Sequence, residues 1–543
     1  MNDLDGKPLV VKETVPDKVI RYFNPTMALR RMQSRTTMAL LGGFTGASRS
    51  DRSMKGWRTT QGASPDDDII LDLPTLRDRS RDSARNHPVG ASIINTMATN
   101  VIGPGFVFHS RLDREFLKLS DAQAEQREAQ IEREWRFYSK TKNVCLSKRS
   151  NIDELADIAF RQYLENGESF VMYPWRERPG EIYATKIQLV EADRVCNKEW
   201  AADSDILTAG ILRDVDGVPE KYHVADRHPL TYKAKGIKWT EVPAFSSSGR
   251  RMVNHVYKPT RPDQSRGVPF LAPVLIALKQ ITRYTDAELM AAIVSGMFTV
   301  FIKTEAAAGS GIGLGNFTPG VVNDQTTTTT GQEDYKLGNG AIVGLNANQS
   351  IESANPMRPN SVFDSFVLAI LRQIGAALEI PFEILIKHFT SSYSASRAAM
   401  LEAWRFFSVR RKWFIENFYI PSFEIFMDEA VARERVIAPG FFEDLLIRQA
   451  YLAGEWIGAP RGMIDEEKEL NAAEKKISLT LSTKQTLTSE LTGGDYEQNV
   501  KQRGKEQKLE KANLEPPKEE KLPFGKQPSD KKDPDENDKP ETD

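Results

Sequence analysis

Two apolar-striped stretches, separated by a long excursion of different composition, constrain this sequence more than any other feature. Residues 268–297 carry Leu271, Val274, Leu275, Leu278, Ile281, Tyr284, Ala287, Met290 and Ile293 at helical spacing, with Lys279, Arg283, Asp286 and Glu288 off that band. A thirty-residue helix would be roughly 45 Å long, and Pro273 falls near its start, where a missing amide donor costs least. Residues 361–378 repeat the pattern through Val362, Phe363, Phe366, Val367, Ile370, Leu371 and Ile374. Between the two lie a strand-like FTVFIKT, a flexible GSGIGLG, a TTTTT run at 326–330 and a second strand-like GAIVGL. An excursion of this length between helices is functional or disordered rather than a plain connection. The pattern predicts an antiparallel helix pair, packed on its shared apolar side, with the other side wet.

The rest of the chain groups around that pair. At 543 residues it exceeds what one core usually supports, which predicts two to four structural units. Between Arg21 and Arg58 eight basic residues stand against one acid, Asp51, a basic arm that is either a flexible solvated tail or a docking segment for DNA or an acidic partner. A helix is predicted from Leu71, started by Asp72 or Pro74 and running through Ile93, Ile94 and Met97 to a stop at Asn100 and Gly103. A second spans Ala122 to about Tyr138, and Asn151 caps a third with Leu155, Ile158, Ala159 and Tyr163 as its stripe. From Gly167 to Val256 the pattern changes to short strand-like runs with a turn at Asp216-Gly217. After the second stripe, Pro381 and the polar run His388 to Ser394 precede a long amphipathic helix from about Ala395 to Ala432, bent at Pro421. From Gln498 onward the chain is too polar to offset ordering entropy, and disorder is predicted. The fold class is α+β.

Composition and missing motifs exclude most chemistry. The net charge of −2, from 73 basic and 75 acidic side chains, does not fit a protein that grips duplex DNA tightly. Cys145 and Cys196 stand far apart without zinc-ligand spacing, as expected of a reducing cytosol. The opening MNDLDGKPLV predicts no secretory signal, and no window has the length of apolar residues that a membrane span needs. There is no G-x-x-x-x-G-K-[ST] loop for a nucleotide-driven motor, no H-E-x-x-H and no G-x-S-x-G. GSGIGLG lacks dinucleotide spacing, and His223 and His228 read as ordinary histidines. Glu191 and Asp193 could hold a nuclease magnesium, but such a pair is expected by accident among this many carboxylates. No catalytic residue, cofactor or metal is assigned, and the protein is expected not to be an enzyme.

Several blocks carry a resemblance to a known family. RSRDSARNHPVGASIINTMATNVIGPGF at 79–106 resembles the lambda family of phage portal proteins, as do RPDQSRGVPFLAPVLIALKQITRYTDAEL at 261–289 and MRPNSVFDSFVLAILRQIGAALEIPFEIL with SSYSASRAAMLEAWRFF within 357–407. IDEEKELNAA at 464–473 and TGGDYEQNVKQRGKE at 492–506 extend it over most of residues 70–510. The resemblance implies a portal fold and the following order: a flexible basic N-terminal arm at 1–70, a β-containing wing at 71–266, a stem helix at 267–297, and a β-containing clip at 298–355. A second, antiparallel stem helix at 356–380 would follow, then a tunnel loop and long helix at 381–435, a wing or crown return at 436–497, and a disordered tail at 498–543. It implies a homo-oligomeric ring of about twelve subunits around an axial channel for double-stranded DNA, held transiently and without sequence preference. Terminase large subunit, a head completion or adaptor protein, and the major capsid and scaffold proteins would be partners; no membrane is involved. The protein would sit at the capsid portal vertex of the virion, and in the host cytoplasm during assembly.

By the same resemblance His388, Phe389, Thr390, Ser391, Ser392, Tyr393 and Ser394 form the tunnel loop near the DNA; read from the residues alone they are an ordinary helix-to-helix loop. Lys279, Arg283, Arg405, Arg410, Arg411 and Lys412 are candidate contacts with DNA or a neighbouring subunit, or else a solvated face. The rival readings are another head-to-tail connector, and a phage nuclease or maturation protease.

Overall fold

In the computed structural model, residues 62–231, 236–296, 300–304, 349–353, 362–388, 392–462 and 465–513 are described, with helical pieces between 20 and 30. The chain divides into two units, Met1–Asp68 and Ile69–Asp543. In the first, where the sequence predicts a flexible arm, Ile20, Tyr22, Pro25–Met27 and Leu29–Arg30 are helical, and Ser64 Oγ accepts from the amide of Asp67 at 3.1 Å to start a turn at Pro65. The second unit holds the elements named below.

The single helix predicted from Leu71 is two helices, α1 (Leu73–Asn86) and α2 (Pro88–Val101). Pro88 supplies no amide to continue α1 and pushes His87 into an extended conformation, φ −104° and ψ 119°. The His87 imidazole then caps α2, its Nδ1 accepting from the amides of Val89 at 3.1 Å and Gly90 at 3.3 Å. Strand β1 (Val107–Ser110) leads to α3 (Asp121–Ser139), and Asn151 opens α4 (Ile152–Asn166) with a reciprocal capping box to Glu154. Of the predicted α4 stripe, Leu155, Ala159 and Tyr163 are buried, whereas Ile158 is exposed.

The β-rich segment makes two antiparallel sheets. β2 (Glu168–Met172) is the centre of a three-stranded sheet, flanked by β3 (Gln188–Val190) and β8 (Val253–Tyr257), with Phe170 opposite both Val190 and His255. The second sheet runs in order β4 (Leu207–Thr208), β5 (Ile211–Arg213), β6 (Pro219–Ala225) and β7 (Trp239–Pro243). The predicted turn at Asp216-Gly217 joins β5 to β6, with Asp214 Oδ1 accepting from the amides of Asp216 and Val218.

The first apolar stripe forms α5 (Leu275–Gly296), after a short 3-10 turn at Ala272–Val274. β9 (Val300–Thr304) pairs antiparallel with β10 (Gln349–Ser353), and α6 (Phe363–Ala377) follows. The predicted second strand, GAIVGL, lies outside the described residues; the strand that pairs with β9 is the later Gln349–Ser353. Tyr284 of α5 meets Phe363 and Phe366 at the start of α6, with ring centroids 5.4 and 4.8 Å apart, while α6 also contacts the turn before α5. The two helices are therefore antiparallel. The predicted band is buried only over its first half, at Leu271, Val274, Leu278 and Ile281. Met290 and Ile293 remain 58% and 47% exposed, with Leu289 beside them at 60%.

α7 (Phe382–Ile386) and α8 (Tyr393–Phe414) come next, and α8 continues through a π turn at Ile415–Tyr419 into α9 (Ile420–Ala432). Where the sequence predicts a bend at Pro421, the chain stays helical and the irregularity is the π turn just before the proline. Proline has no amide to give the carbonyl of Asn417, and the Asn254 side chain on β8 donates to that oxygen instead, at 2.5 Å. Asn254→Ala would remove this donor from a part-buried carbonyl, and a loss of about 1–3 kcal/mol is expected in denaturant unfolding, against little change for an exposed control such as Lys412→Ala.

The helix from α8 to α9 runs through the main core. Phe423 packs against Phe108 at 4.3 Å and Trp135 at 5.2 Å, Phe426 against Trp135 at 5.2 Å, and Tyr419 against Trp456 at 5.2 Å. β11 (Gly454–Ile457), after α10 (Leu445–Leu452), returns to pair with β1, joining late residues to early ones. α11 (Glu466–Ser478) and α12 (Lys484–Thr492) share a small cluster of Ala473, Leu487 and Leu491. α13 (Tyr496–Asn513) corrects the expectation of disorder from Gln498: Asp495 Oδ1 caps it by accepting from the Gln498 amide at 2.8 Å, and the chain there is rich in Lys, Glu and Gln, which are good helix formers. Residues 514–543 lie outside the described ones.

Candidate functional site

The 388–394 segment is framed by its two helices. Pro381 sets the start of α7, and Lys387, in the left-handed region at φ 54°, ends it by donating its amide to Glu383. His388 is exposed; Phe389, Thr390 and Ser391 lie outside the described residues. Ser392 caps α8, its Oγ accepting from the Ala395 amide at 3.4 Å, and Tyr393 and Ser394 form the first turn, with Ser394 exposed. Within the segment, the described role is helix capping.

The basic residues fall into two groups. Arg405 and Lys412 are exposed on α8, each beside an acid on the same helix, Glu402 at 3.6 Å and Glu416 at 3.9 Å. Arg410 and Arg411 are spent within the fold. Arg410 donates to the Tyr163 hydroxyl at 3.1 Å and stacks over Phe270 and Phe406. Arg411 donates to the carbonyls of Asn100, Val101 and Ala459 at 2.9, 3.2 and 2.7 Å and lies over Trp404. It thereby satisfies the orphan carbonyls at the end of α2, and burial pushes its pKa down.

Arg405 and Arg410 also line a groove of about 760 Å³ between α6, α7 and α8, together with Lys258, Arg372, Glu379 and Glu402. Burial, and then the neighbouring Arg410 guanidinium, lower the Lys258 pKa. Lys279 and Arg283 are exposed on α5 and line a second groove, of about 710 Å³, with Arg79 and Asp82 of α1. At its side His87 joins the α1–α2 junction to α5. Its Nε2 stands 3.0 Å from the Leu278 carbonyl, so it carries the proton and leaves Nδ1 free to cap α2.

Burial lowers the His87 pKa, against the raising effect of the Leu278 carbonyl. A histidine depressed in the folded state contributes stability that is complete above its unfolded pKa of about 6.5 and is lost as pH falls through the lower folded value. Melting temperatures measured from pH 7.5 to 5 should therefore fall less for His87→Asn than for the unmodified protein. Parallel curves would refute the assignment.

Sequence reasoning missed the most elaborate polar cluster. Glu168, fully buried at the start of β2, accepts from Arg266 Nε at 2.7 Å, His255 Nε2 at 2.8 Å, the Gly267 amide at 2.9 Å, and Arg77 of α1. Burial alone would raise its pKa, but the Arg266 and Arg77 guanidiniums and the His255 hydrogen bond hold it well below the carboxylate range. Arg266 lies within the RPDQSRG run, yet nothing in the sequence pairs that run with Glu168. Of the suspected magnesium pair, Asp193 is bound by Arg77, Arg81 and His228, so its carboxylate is already neutralised by guanidinium groups. Among the described residues it is this same group, Glu191, Asp193 and His228, that has metal-like spacing.

The family model for phage portal proteins of the lambda family matches residues 50–411. Portal protein B of Escherichia phage lambda is 25% identical over 457 residues, covering 81% of this chain and 84% of that protein. The portal protein of Escherichia phage N15 is 24% identical over 493 residues, covering 88% and 91%. Among solved structures, a chain of the virion of the native gene transfer agent particle is similar at a TM-score of 0.39 and 12% identity, covering 80% of this chain and 95% of that one. A chain from the neck of that particle, computed with C12 symmetry, is similar at 0.39 and 13%, covering 77% and 92%. With a family match over more than half of its length and relatives aligned along most of it, the chain belongs to the lambda family of phage portal proteins.

Proposed function

We propose that this protein is the subunit of a non-enzymatic portal ring of about twelve copies, through whose axial channel double-stranded DNA enters and leaves a phage capsid. Residues 71–266 act as the wing, 267–297 and 356–380 as antiparallel stem helices, 298–355 as the clip, 381–435 as tunnel loop and long helix, and 436–497 as the wing or crown return. The clip receives the terminase large subunit during packaging and a head completion protein afterwards, with the ring set among major capsid and scaffold proteins at the portal vertex.

The observation that carries the ring is the half-buried band of α5. Leu289, Met290 and Ile293 are exposed on a helix whose first half is buried. A contiguous apolar stretch left open in a single chain is the mark of a surface meant for another chain, and a head-to-tail contact that closes makes a ring. The tunnel-loop role of 388–394 rests on its position between α7 and α8, and His388 and Ser394 are exposed there. Lys279, Arg283, Arg405 and Lys412 keep exposed charges for DNA or a neighbour. A near-neutral chain suits a conduit, because each neutralised phosphate adds a salt-dependent hold that moving DNA must break.

Native mass and electron microscopy of the purified protein test this reading. Closed rings of about twelve subunits with an axial hole support it. A monomer or dimer under all salt conditions, together with capsid assembly that does not recruit it, would overturn it.

A further inference from the structure

The charge arrangement of α13 is costly to the helix itself. Tyr496–Asn513 has no buried residue, so it lacks the packed face that supplies most helical stability in proteins. Side chains three and four apart on a helix are neighbours, and like charges there destabilise it. Lys501 faces Lys505, Lys505 faces Lys508, Lys508 faces Lys511, and Glu506 faces Glu510; the opposite-charge pairs are Glu497 with Lys501 and Arg503 with Glu506. Like-charge neighbours outnumber opposite ones. Lys501, Lys505 and Lys508 share one exposed face, with Glu497 one turn ahead of Lys501, while Glu506 and Glu510 stand on the far side beside Arg503. The helix is not free to turn away, because Asp495 at its head also reaches Arg111 at 3.4 Å and Gln485 at 3.3 Å.

We propose that the Lys501, Lys505 and Lys508 face of α13 is a contact for the phosphate backbone of duplex DNA, separate from the 388–394 loop. The proposal rests on the portal reading, which brings DNA to the protein. The stripe spans about 10 Å, over which duplex DNA presents roughly six backbone charges. Lysines held as point charges on flexible stems fit sequence-independent backbone binding.

The test is the binding of a random-sequence duplex to the full-length protein across a salt series, compared with a Lys501→Gln, Lys505→Gln, Lys508→Gln variant. Glutamine keeps helix propensity. Each lost phosphate contact should flatten the plot of log affinity against log salt by about 0.9, so a decrease of about 2.7 per engaged helix is expected. Arg503→Gln, off the stripe, should leave the slope within about 0.3 of the parent, well under one contact. An unchanged slope in the triple variant, or an equal loss in Arg503→Gln, overturns the proposal. So does an unchanged DNA slope with weakened binding of polyglutamate, which would assign the stripe to an acidic protein. Electron microscopy of the same samples separates the two readings: rings with an unchanged slope sink this inference alone, whereas absence of rings under every condition sinks the portal reading and this inference with it.

Discussion

Replacing Glu168 with alanine should destabilise the protein by about 3–5 kcal/mol, the cost of leaving buried charges without their partner. Two buried guanidiniums would lose this carboxylate, since the side chains of Arg77 and Arg266 are 5% and 2% exposed; Arg77 would keep Asp193 at 3.2 Å, and Arg266 the carbonyls of Ala192 and Val195. The carboxylate also accepts from His255 and the Gly267 amide, so four donors from α1, β8 and the chain just ahead of α5 lose their acceptor together. Denaturant unfolding of the full-length protein measures this, and Glu168→Gln, which keeps the shape but not the charge, should recover only part of the loss. A midpoint unchanged in both variants would show that the cluster is not a source of stability. The sign of the pH effect follows from the depressed pKa. The contribution is complete above the unfolded carboxylate value of about 4.3 and disappears as pH falls toward the lower folded value, so the alanine variant should lose less stability than the parent on acidification below pH 4.

Gly267→Ala should be comparably damaging for a steric reason. A Cβ at Gly267 would stand 2.1 Å from the carbonyl oxygen of Gly167 and 2.6 Å from its carbon. Gly167 closes α4 in the left-handed region at φ 89°, and a Cβ there would lie 2.4 Å from the Gly267 backbone. Overpacking among side chains costs about 1–3 kcal/mol; here both obstacles are backbone and cannot rotate away, so the upper end of that range or loss of folding is expected. Gly504→Ala on α13, where a Cβ would meet nothing within 4 Å, is the control and should be neutral or stabilising by about 0.5–1 kcal/mol. Thermal melts and soluble yield of the two variants read the contrast, and equal behaviour would sink the argument. This backbone crossing also fixes where the chain leaves the β-rich half of the protein toward α5.

The sequence was legible wherever structure depends on neighbours along the chain. The Asn151 cap, the Asp216-Gly217 turn and the Pro381 break are local chemistry, and each is found where the sequence predicts it. The failures each have a physical reason. The α5 band looks continuous from Leu271 to Ile293, but periodicity shows only which face is apolar, not how far along the helix there is something to cover it. The break at His87-Pro88 was hidden by an apolar rhythm that continues across it. The helix at Tyr496–Asn513 was hidden by polarity, which forbids burial but not helix formation.

For the candidate site, the sequence named the basic residues of α8 but could not sort them. Arg405, Arg410, Arg411 and Lys412 are chemically alike in the sequence, and only packing turns Arg411 onto the carbonyls ending α2 while Lys412 stays in solvent. The groove partners Lys258 and Arg372 come from segments more than a hundred residues apart, a distance over which no pattern carries information.

By itself, then, the sequence determined the mixed helical and sheet class, the helix pair with the strand that follows its first member, and the portal family, because these rest on periodicity, capping and motif order. The tertiary structure alone decided that Glu168 holds Arg77, Arg266 and His255, that Gly167 and Gly267 touch, and that Asn254 completes the π turn at Pro421. Each of those joins residues about ninety or more positions apart. Their pairing is set by which buried donors and acceptors are brought face to face, and that is a property of the packed chain rather than of any stretch of it.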